Sequence, residues 1–461
     1  MNPPETTTLR EKLSGTVVTA ADPGYDAARA VWNGDIDRRP AVVAECATRE
    51  DVVTALAFGR DKRLEITVRG GGHSFSGSAV ADDGLVIDLG GLRRITVDPG
   101  TRTALVGGGA LWADVDEATQ RHGLATVGGT VSDTGVGGLT LGGGFGWLTA
   151  KHGLTIDNLL SAEVVTADGR ILRVSEAEHP DLFWALRGGG GNFGVVTEFE
   201  FRLHRVGLAE VGLFFWTLAD APEAMRFAKD VIASLPSGTG SMLVGLNAPP
   251  APFVPPELHL APGLALVVAG FDGPERHARL VERIRGGLPA AFELVTPMPY
   301  AELQKLLDPT APRGILAYEK SLYVASLSEK VIDVIAARLP GKASPTTVLP
   351  IVPLQDTFST VREDATAFGG PRTPGFVVGM AATAPTPELL AADRVWARTL
   401  WEELLPHSSN YGGYLNFMNE YDEDRVRTAF GAEKYARLAG IKAVYDPDNV
   451  FRHNANIRPA E

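Results

Sequence analysis

The residues best suited by type and spacing to do chemistry gather around one histidine. Arg69, Gly70, Gly71, Gly72, His73 and Ser74 run together, with three glycines ahead of an imidazole. Successive backbone N–H groups in such a run can close around an anion, and a neutral imidazole is a nucleophile near neutral pH. Three more glycine knots follow: Gly107 to Gly109, nine glycines between Gly128 and Gly146, and Gly188 to Gly194. Glycine costs ~0.5–1 kcal/mol relative to alanine inside regular structure. Ordinary turns account for single glycines but not for four clusters, so these segments are expected to cradle a ligand.

A second cluster is Tyr318-Glu-Lys320-Ser-Leu-Tyr323. On a strand, period-two alternation puts Tyr318 and Lys320 on one face and Tyr323 on the other. Lys320 could lower a phenol's pKa or orient a carboxylate, although such residues more often form a solvated face. The one cysteine, Cys46, excludes an intramolecular disulfide and multi-cysteine metal sites, and reads as a small buried filler.

Two nucleotide motifs can be tested directly. The only Gly-Lys pair, Gly341-Lys342, is followed by Ala343 and so fails the P-loop pattern. Gly189-x-Gly191-x-x-Gly194 matches the dinucleotide fingerprint literally, yet it leads into Val-Val-Thr-Glu-Phe-Glu-Phe. That alternates like a strand, whereas the fingerprint must open a helix.

Residues 40–206 read as interleaved strands and helices: a helix over 51–58, a strand over 66–68 leading into the histidine run, strands over 85–89, 95–97 and 103–106, and a helix over 111–122. Asp168-Gly169 marks a hairpin between strands at 162–166 and 170–174, and 195–201 alternates. Beyond residue 206, strands are expected at 214–217, 264–269 and 318–324, with helices at 222–235, 274–285 and 327–338. Helices at 424–430 and 435–445 precede an extended tail. The expected class is α+β, with domains 1–206, 207–410 and 411–461, the last returning to the first.

The charge balance, 43 Lys plus Arg against 56 Asp plus Glu with a net of −13, argues against nucleic-acid or anionic-membrane partners. The start of the chain lacks a basic, apolar leader and no apolar run approaches the ~20 residues of a membrane span. A cytoplasmic protein is expected, as monomer or homodimer, with no metal.

Five motifs carry a resemblance. Arg69-Gly-Gly-Gly-His73-Ser74, the run Gly137-Gly-Leu-Thr-Leu-Gly-Gly-Gly-Phe-Gly146, His152-Gly-Leu-Thr-Ile-Asp157-Asn158 and Gly190-Gly-Asn192-Phe-Gly194 occur in that order. They resemble the FAD-binding domain of the vanillyl-alcohol-oxidase / p-cresol-methylhydroxylase (PCMH) superfamily. The tail from Tyr445 through Asn449, Asn454 and Asn456 is similar to the C-terminal segment of bacterial berberine-bridge-enzyme-like oxidases.

The resemblance implies a two-part FAD-binding domain plus a substrate domain whose antiparallel sheet is covered by helices. It implies FAD joined covalently to His73. A second, cysteinyl attachment found in many relatives aligns with Val131, so one tether is expected. The implied cofactor-binding residues are His73, Arg69, Gly70, Gly71, Gly72, Ser74, Gly129, Ser132, Thr134, Gly135, Gly138, Gly142, Gly144, Asp157, Asn158, Gly194, Val195, Val196, Asn454 and Asn456. Residues 70–74 would cradle the pyrophosphate, and Ser132 and Thr134 would donate to the flavin's polar edge. The family motif Y-x-N-Y appears as Tyr414-Leu-Asn416-Phe417, which makes Tyr414 the base candidate with Asn416 beside it. Tyr318 and Lys320 complete the catalytic candidates; Gln355 and His152 are weaker ones.

The implied activity is oxidation of a small or medium organic alcohol, amine or natural-product intermediate, with O2 as acceptor and H2O2 as product. An oxygenase using a flavin–oxygen adduct, an oxygen-insensitive dehydrogenase and a noncatalytic flavin-binding protein remain alternatives.

Overall fold

The computed structural model describes residues 3–409 and 412–461; the expected boundary at 410–411 falls outside them. The first sheet orders Thr16–Val18, Val42–Glu45, Leu85–Asp88 and Ile66–Arg69, the last three parallel. Helix Arg49–Asp61 follows Val42–Glu45 and begins with a capping box: Thr48 accepts from the Asp51 N–H, and Asp51 accepts from the Thr48 N–H. Its buried Val52, Ala55 and Leu56 pack on Val42, Ala44, Ile66, Leu85 and Ile87. This packing fixes the end of strand Ile66–Arg69, from which the His73 loop departs.

The second sheet is antiparallel, ordered Ile95–Asp98, Thr103–Gly107, Val195–Arg202, Leu159–Val165 and Ile171–Ser175. The hairpin at Asp168-Gly169 forms as its sequence indicates, with Gly169 at a φ of 85° that a side chain would resist. The literal dinucleotide fingerprint runs straight into strand Val195–Arg202.

The third sheet has seven antiparallel strands, ordered Phe292–Pro299, Leu208–Thr217, Pro262–Gly270, Gly240–Asn247, Leu349–Leu354, Gly375–Ala384 and Leu316–Val324. Helices Ala221–Ala233, Pro274–Arg285, Glu329–Arg338 and Pro387–Leu404 bury their apolar stripes on one face of it. The other face packs against Phe145, Trp147, Leu154 and Ile156 of the N-terminal half. Leu316–Val324 is an edge strand whose unpaired backbone groups are taken by two asparagines: Asn33 donates to the Ala317 carbonyl and accepts its N–H, and Asn419 accepts the Glu319 N–H. Both asparagines also donate to the Phe75 carbonyl, just beyond His73. Helices Glu423–Phe430 and Ala432–Tyr445 return to the N-terminal half, sharing a core with Leu182 to Leu186.

Some glycines also serve direct backbone contact. A Cβ on Gly71 would lie 2.4 Å from the Gly135 nitrogen, and one on Gly135 2.3 Å from the Gly71 nitrogen. The two glycine-rich segments therefore touch back to back.

Candidate active site

A continuous cavity lies between the three sheets. Its lining includes Gly70, Gly71, Gly72, His73 and Ser74 from the first loop, and Gly129, Val131, Thr134, Gly135, Gly138 and Gly142 from the second segment. Gly194, Val195, Val196 and Asn454 line it too, as do Tyr414, Asn416 and Phe417. On the far side it meets the seven-stranded sheet at Met242, Val244, Leu246, Pro350, Val352 and Glu319.

His73 sits between two partners. Its ring stacks on Trp32 with centroids 4.3 Å apart and planes at 18°, and its Nε2 lies 2.9 Å from Asp133 Oδ1. Arg313 approaches the other Asp133 oxygen at 3.0 Å. Half-burial works against charge on Asp133, but the hydrogen bond and charge of His73 and the Arg313 cation hold its carboxyl below the usual range.

Tyr414 is buried, and its phenol oxygen accepts the Gly144 N–H and the Asn416 Nδ2–H, each at 3.0 Å. Its backbone N–H donates to Ser321 Oγ on the edge strand. Phe145 and Phe417 flank the ring at 4.7 and 5.0 Å. Burial pushes the phenol up to about 12 in spite of the two donors, and the nearby Glu319 carboxyl adds to the rise. Asn416 fills the space where a Cβ on Gly142 would stand, 2.3 Å away, so a glycine at 142 is what lets Asn416 reach the phenol.

The lining corrects several expectations. Tyr318 and Lys320 do share a face, but it is the helix-covered one: Tyr318 bonds to Arg398 and Glu420, and Lys320 pairs with Glu420 at 3.1 Å beneath Trp401. The alternate face, carrying Glu319, meets the cavity. Arg69 turns away to pair with Asp88 at 2.6 Å. Asp157 is consumed in a buried bidentate pair with Arg372, both contacts 2.8 Å. Asn158 bonds to the His152 and Leu154 carbonyls and to His204. Ser132 donates through both N–H and Oγ to Asp308. Gly144 and Asn456 lie outside the lining, as do Gln355 and His152, the latter stacked on His204 at 3.6 Å. Cys46 is fully buried, and burial raises its thiol.

Trp32, Glu319, Tyr421 and His453 line the cavity without having been singled out. Trp32 had no local signal. Glu319 had one: it occupies the opposite phase of the same alternating strand.

Comparison with known proteins fits this geometry. A family described as FAD binding domain matches residues 40–175, and one described as berberine and berberine like matches residues 413–458. (R)-6-Hydroxynicotine oxidase of Paenarthrobacter nicotinovorans is 32% identical over 459 residues, covering 97% of each chain. The chain belongs to the berberine-bridge-enzyme-like FAD-linked oxidoreductases. The solved 6-hydroxy-D-nicotine oxidase of Arthrobacter nicotinovorans superposes with a TM-score of 0.84 at 29% identity, covering 97% of this chain and 98% of that one. Glucooligosaccharide oxidase of Acremonium strictum shares the fold, with a TM-score of 0.84 at 24% identity over 99% of each chain.

The residues of this berberine-bridge-enzyme-like chain fit FAD. A Cβ on Gly138 would meet open space, and Asn454 Oδ1 is buried on the lining with no hydrogen-bond partner among the described residues. An orphaned acceptor of this kind costs ~1–3 kcal/mol unless a ligand donor meets it. A buried lysine anchors the loop opposite: Lys442 Nζ donates to the Asn192 and Phe451 carbonyls and to Asp446, at 2.6–2.9 Å.

Proposed function

We propose that this chain is an oxidase whose FAD is joined covalently to His73 alone, and that it oxidises a small or medium organic molecule with O2, releasing H2O2. The observation that carries this reading is His73 on the cavity wall, clamped between the Trp32 ring and the Asp133 carboxylate. With Nε2 engaged by Asp133, the lone pair free for a carbon bond is that of Nδ1. The glucooligosaccharide oxidase structure is named for a flavin joined to both a cysteine and a histidine; here Val131 stands on the lining and offers no nucleophile.

Bound flavin supplies the two-electron acceptor. The backbone of Gly70 to Ser74, with Gly138 and Asn454, would hold the cofactor, and Thr134 would donate to its polar edge. Tyr414 takes the proton that leaves the substrate heteroatom. Its two donors stabilise a phenolate, but burial keeps the resting phenol protonated, near 12, so it takes the substrate proton only after passing its own to solvent. Phe145, Phe417 and the apolar sheet face exclude water from that bond.

Acid precipitation tests the attachment: the wild-type pellet stays yellow, whereas His73→Ala releases its flavin to the supernatant. Free FAD from the wild type defeats the covalent reading. Turnover under 18O2 should place label only in peroxide; label in the organic product would make the enzyme an oxygenase.

A further inference from the structure

Glu319 stands in an unusual position. It is 2% exposed, on the cavity-facing side of strand Leu316–Val324, and its Oε2 has no hydrogen-bond partner among the described residues. Its Oε1 lies over Gly379, 3.0 Å from where a Cβ would stand, so the bare glycine makes room for the carboxyl. The surrounding wall is apolar: Met242, Val244, Leu246, Val348, Pro350 and Val352. Among the described residues Glu319 is the only carboxyl lining the cavity, and no lysine or arginine lines it.

A buried carboxyl left unpartnered costs several kcal/mol. The cations on the opposite face of the strand, Lys320, Arg398 and Arg425, are spent on Glu420. Tyr414 and Tyr421, which also line the cavity, are neutral phenols that burial keeps protonated. The described residues supply no partner, which leaves that place to a ligand.

We propose that Glu319 anchors the substrate and that the substrate is an amine, its nitrogen docking on the Glu319 carboxyl and its carbon skeleton on the apolar sheet face. The inference rests on the oxidase reading and narrows its substrate class. A hydroxyl would only form a neutral hydrogen bond that a glutamine or Tyr414 could serve equally; an amine is basic enough to take the acid's proton and form an ion pair with it. An anionic substrate would meet a carboxyl and no cation. A long carbohydrate would find few side-chain donors and acceptors on the sheet. Burial alone raises the Glu319 carboxyl well above the usual range, so it waits as the neutral acid. A free amine entering takes that proton, leaving an ammonium–carboxylate pair with no net proton gained or lost.

Three measurements on the purified holoprotein decide the matter. Infrared difference spectroscopy should show a protonated-carboxyl C=O stretch that Glu319→Gln lacks and that bound amine abolishes. Titrations with benzylamine and N-methylbenzylamine, against benzyl alcohol as the neutral isostere, should show tighter binding of the amines. Glu319→Gln should weaken amine binding by about 10- to 100-fold and leave the alcohol nearly unaffected. Glu319→Leu should melt at or above the wild-type temperature, because it removes an unpaired acid; a structural carboxyl would lower it. Equal binding of amine and alcohol, or amine binding untouched by Glu319→Gln, overturns the proposal. Protein purified without flavin would sink the oxidase reading, while the infrared and binding results would still judge Glu319.

Discussion

At the scale of single residues, the site pairs reactive groups with partners that fix their orientation. Trp32 and Asp133 fix the plane and the engaged nitrogen of His73. Gly144 and Asn416 do the same for the Tyr414 oxygen. Tyr414→Phe deletes one hydroxyl without changing the ring contacts to Phe145 and Phe417. The flavin spectrum should be preserved while anaerobic flavin reduction by substrate slows by about 10²- to 10⁴-fold, the usual span for a proton-transfer group; stopped-flow reduction reads this directly. Unchanged reduction would remove Tyr414 from the proton path.

At the scale of elements, two buried ionisable groups hold neighbours together. Lys442, on helix Ala432–Tyr445, is fully buried with Asp446 and fixes the tail against the Asn192 loop. Lys442→Met strands the Asp446 charge and should cost about 3–5 kcal/mol, read from denaturant unfolding. Asp116, on helix Trp112–Gln120, receives a hydrogen bond from Gln304 of helix Tyr300–Gln304 at 3.2 Å. Burial raises its carboxyl to about 7. The folded state therefore keeps a proton that the unfolded chain releases near ~3.9. The stability this contributes is full below that unfolded value and is lost as pH rises through about 7. Asp116→Asn should flatten the fall in melting temperature between about pH 4 and 7; an unchanged slope would show that Asp116 is not the source.

At the scale of the whole molecule, the cavity is enclosed by three sheets together with the segments at 414–421 and 451–455 that flank the returning C-terminal helices. Asn33 and Asn419 tie the loop after His73 to the edge strand, and the Asp157–Arg372 pair joins the two halves elsewhere. A ligand that fills this shared space binds the folded form and not the unfolded one. His73→Ala, freed of flavin, should therefore melt below the wild type and regain stability with added FAD, by about 2.7 kcal/mol at a hundredfold excess over its Kd. A melting temperature indifferent to FAD would show that the cavity is not the cofactor's site.

The glycine clusters, the histidine run, the hairpin at Asp168-Gly169 and helix Pro274–Arg285 were legible in the sequence, because turn chemistry and periodicity act over a few neighbouring residues. The same alternation placed Tyr318 and Lys320 on one face and Tyr323 on the other. It did not say which face meets the cavity, since that depends on which layer packs on each side of the sheet. For the same reason Arg69, Ser132, Asp157 and Asn158 carry family motifs yet spend their polar atoms on Asp88, Asp308, Arg372 and His204. Trp32 reaches His73 and Glu319 reaches the cavity through contacts between residues far apart in the chain, and only tertiary packing sets those.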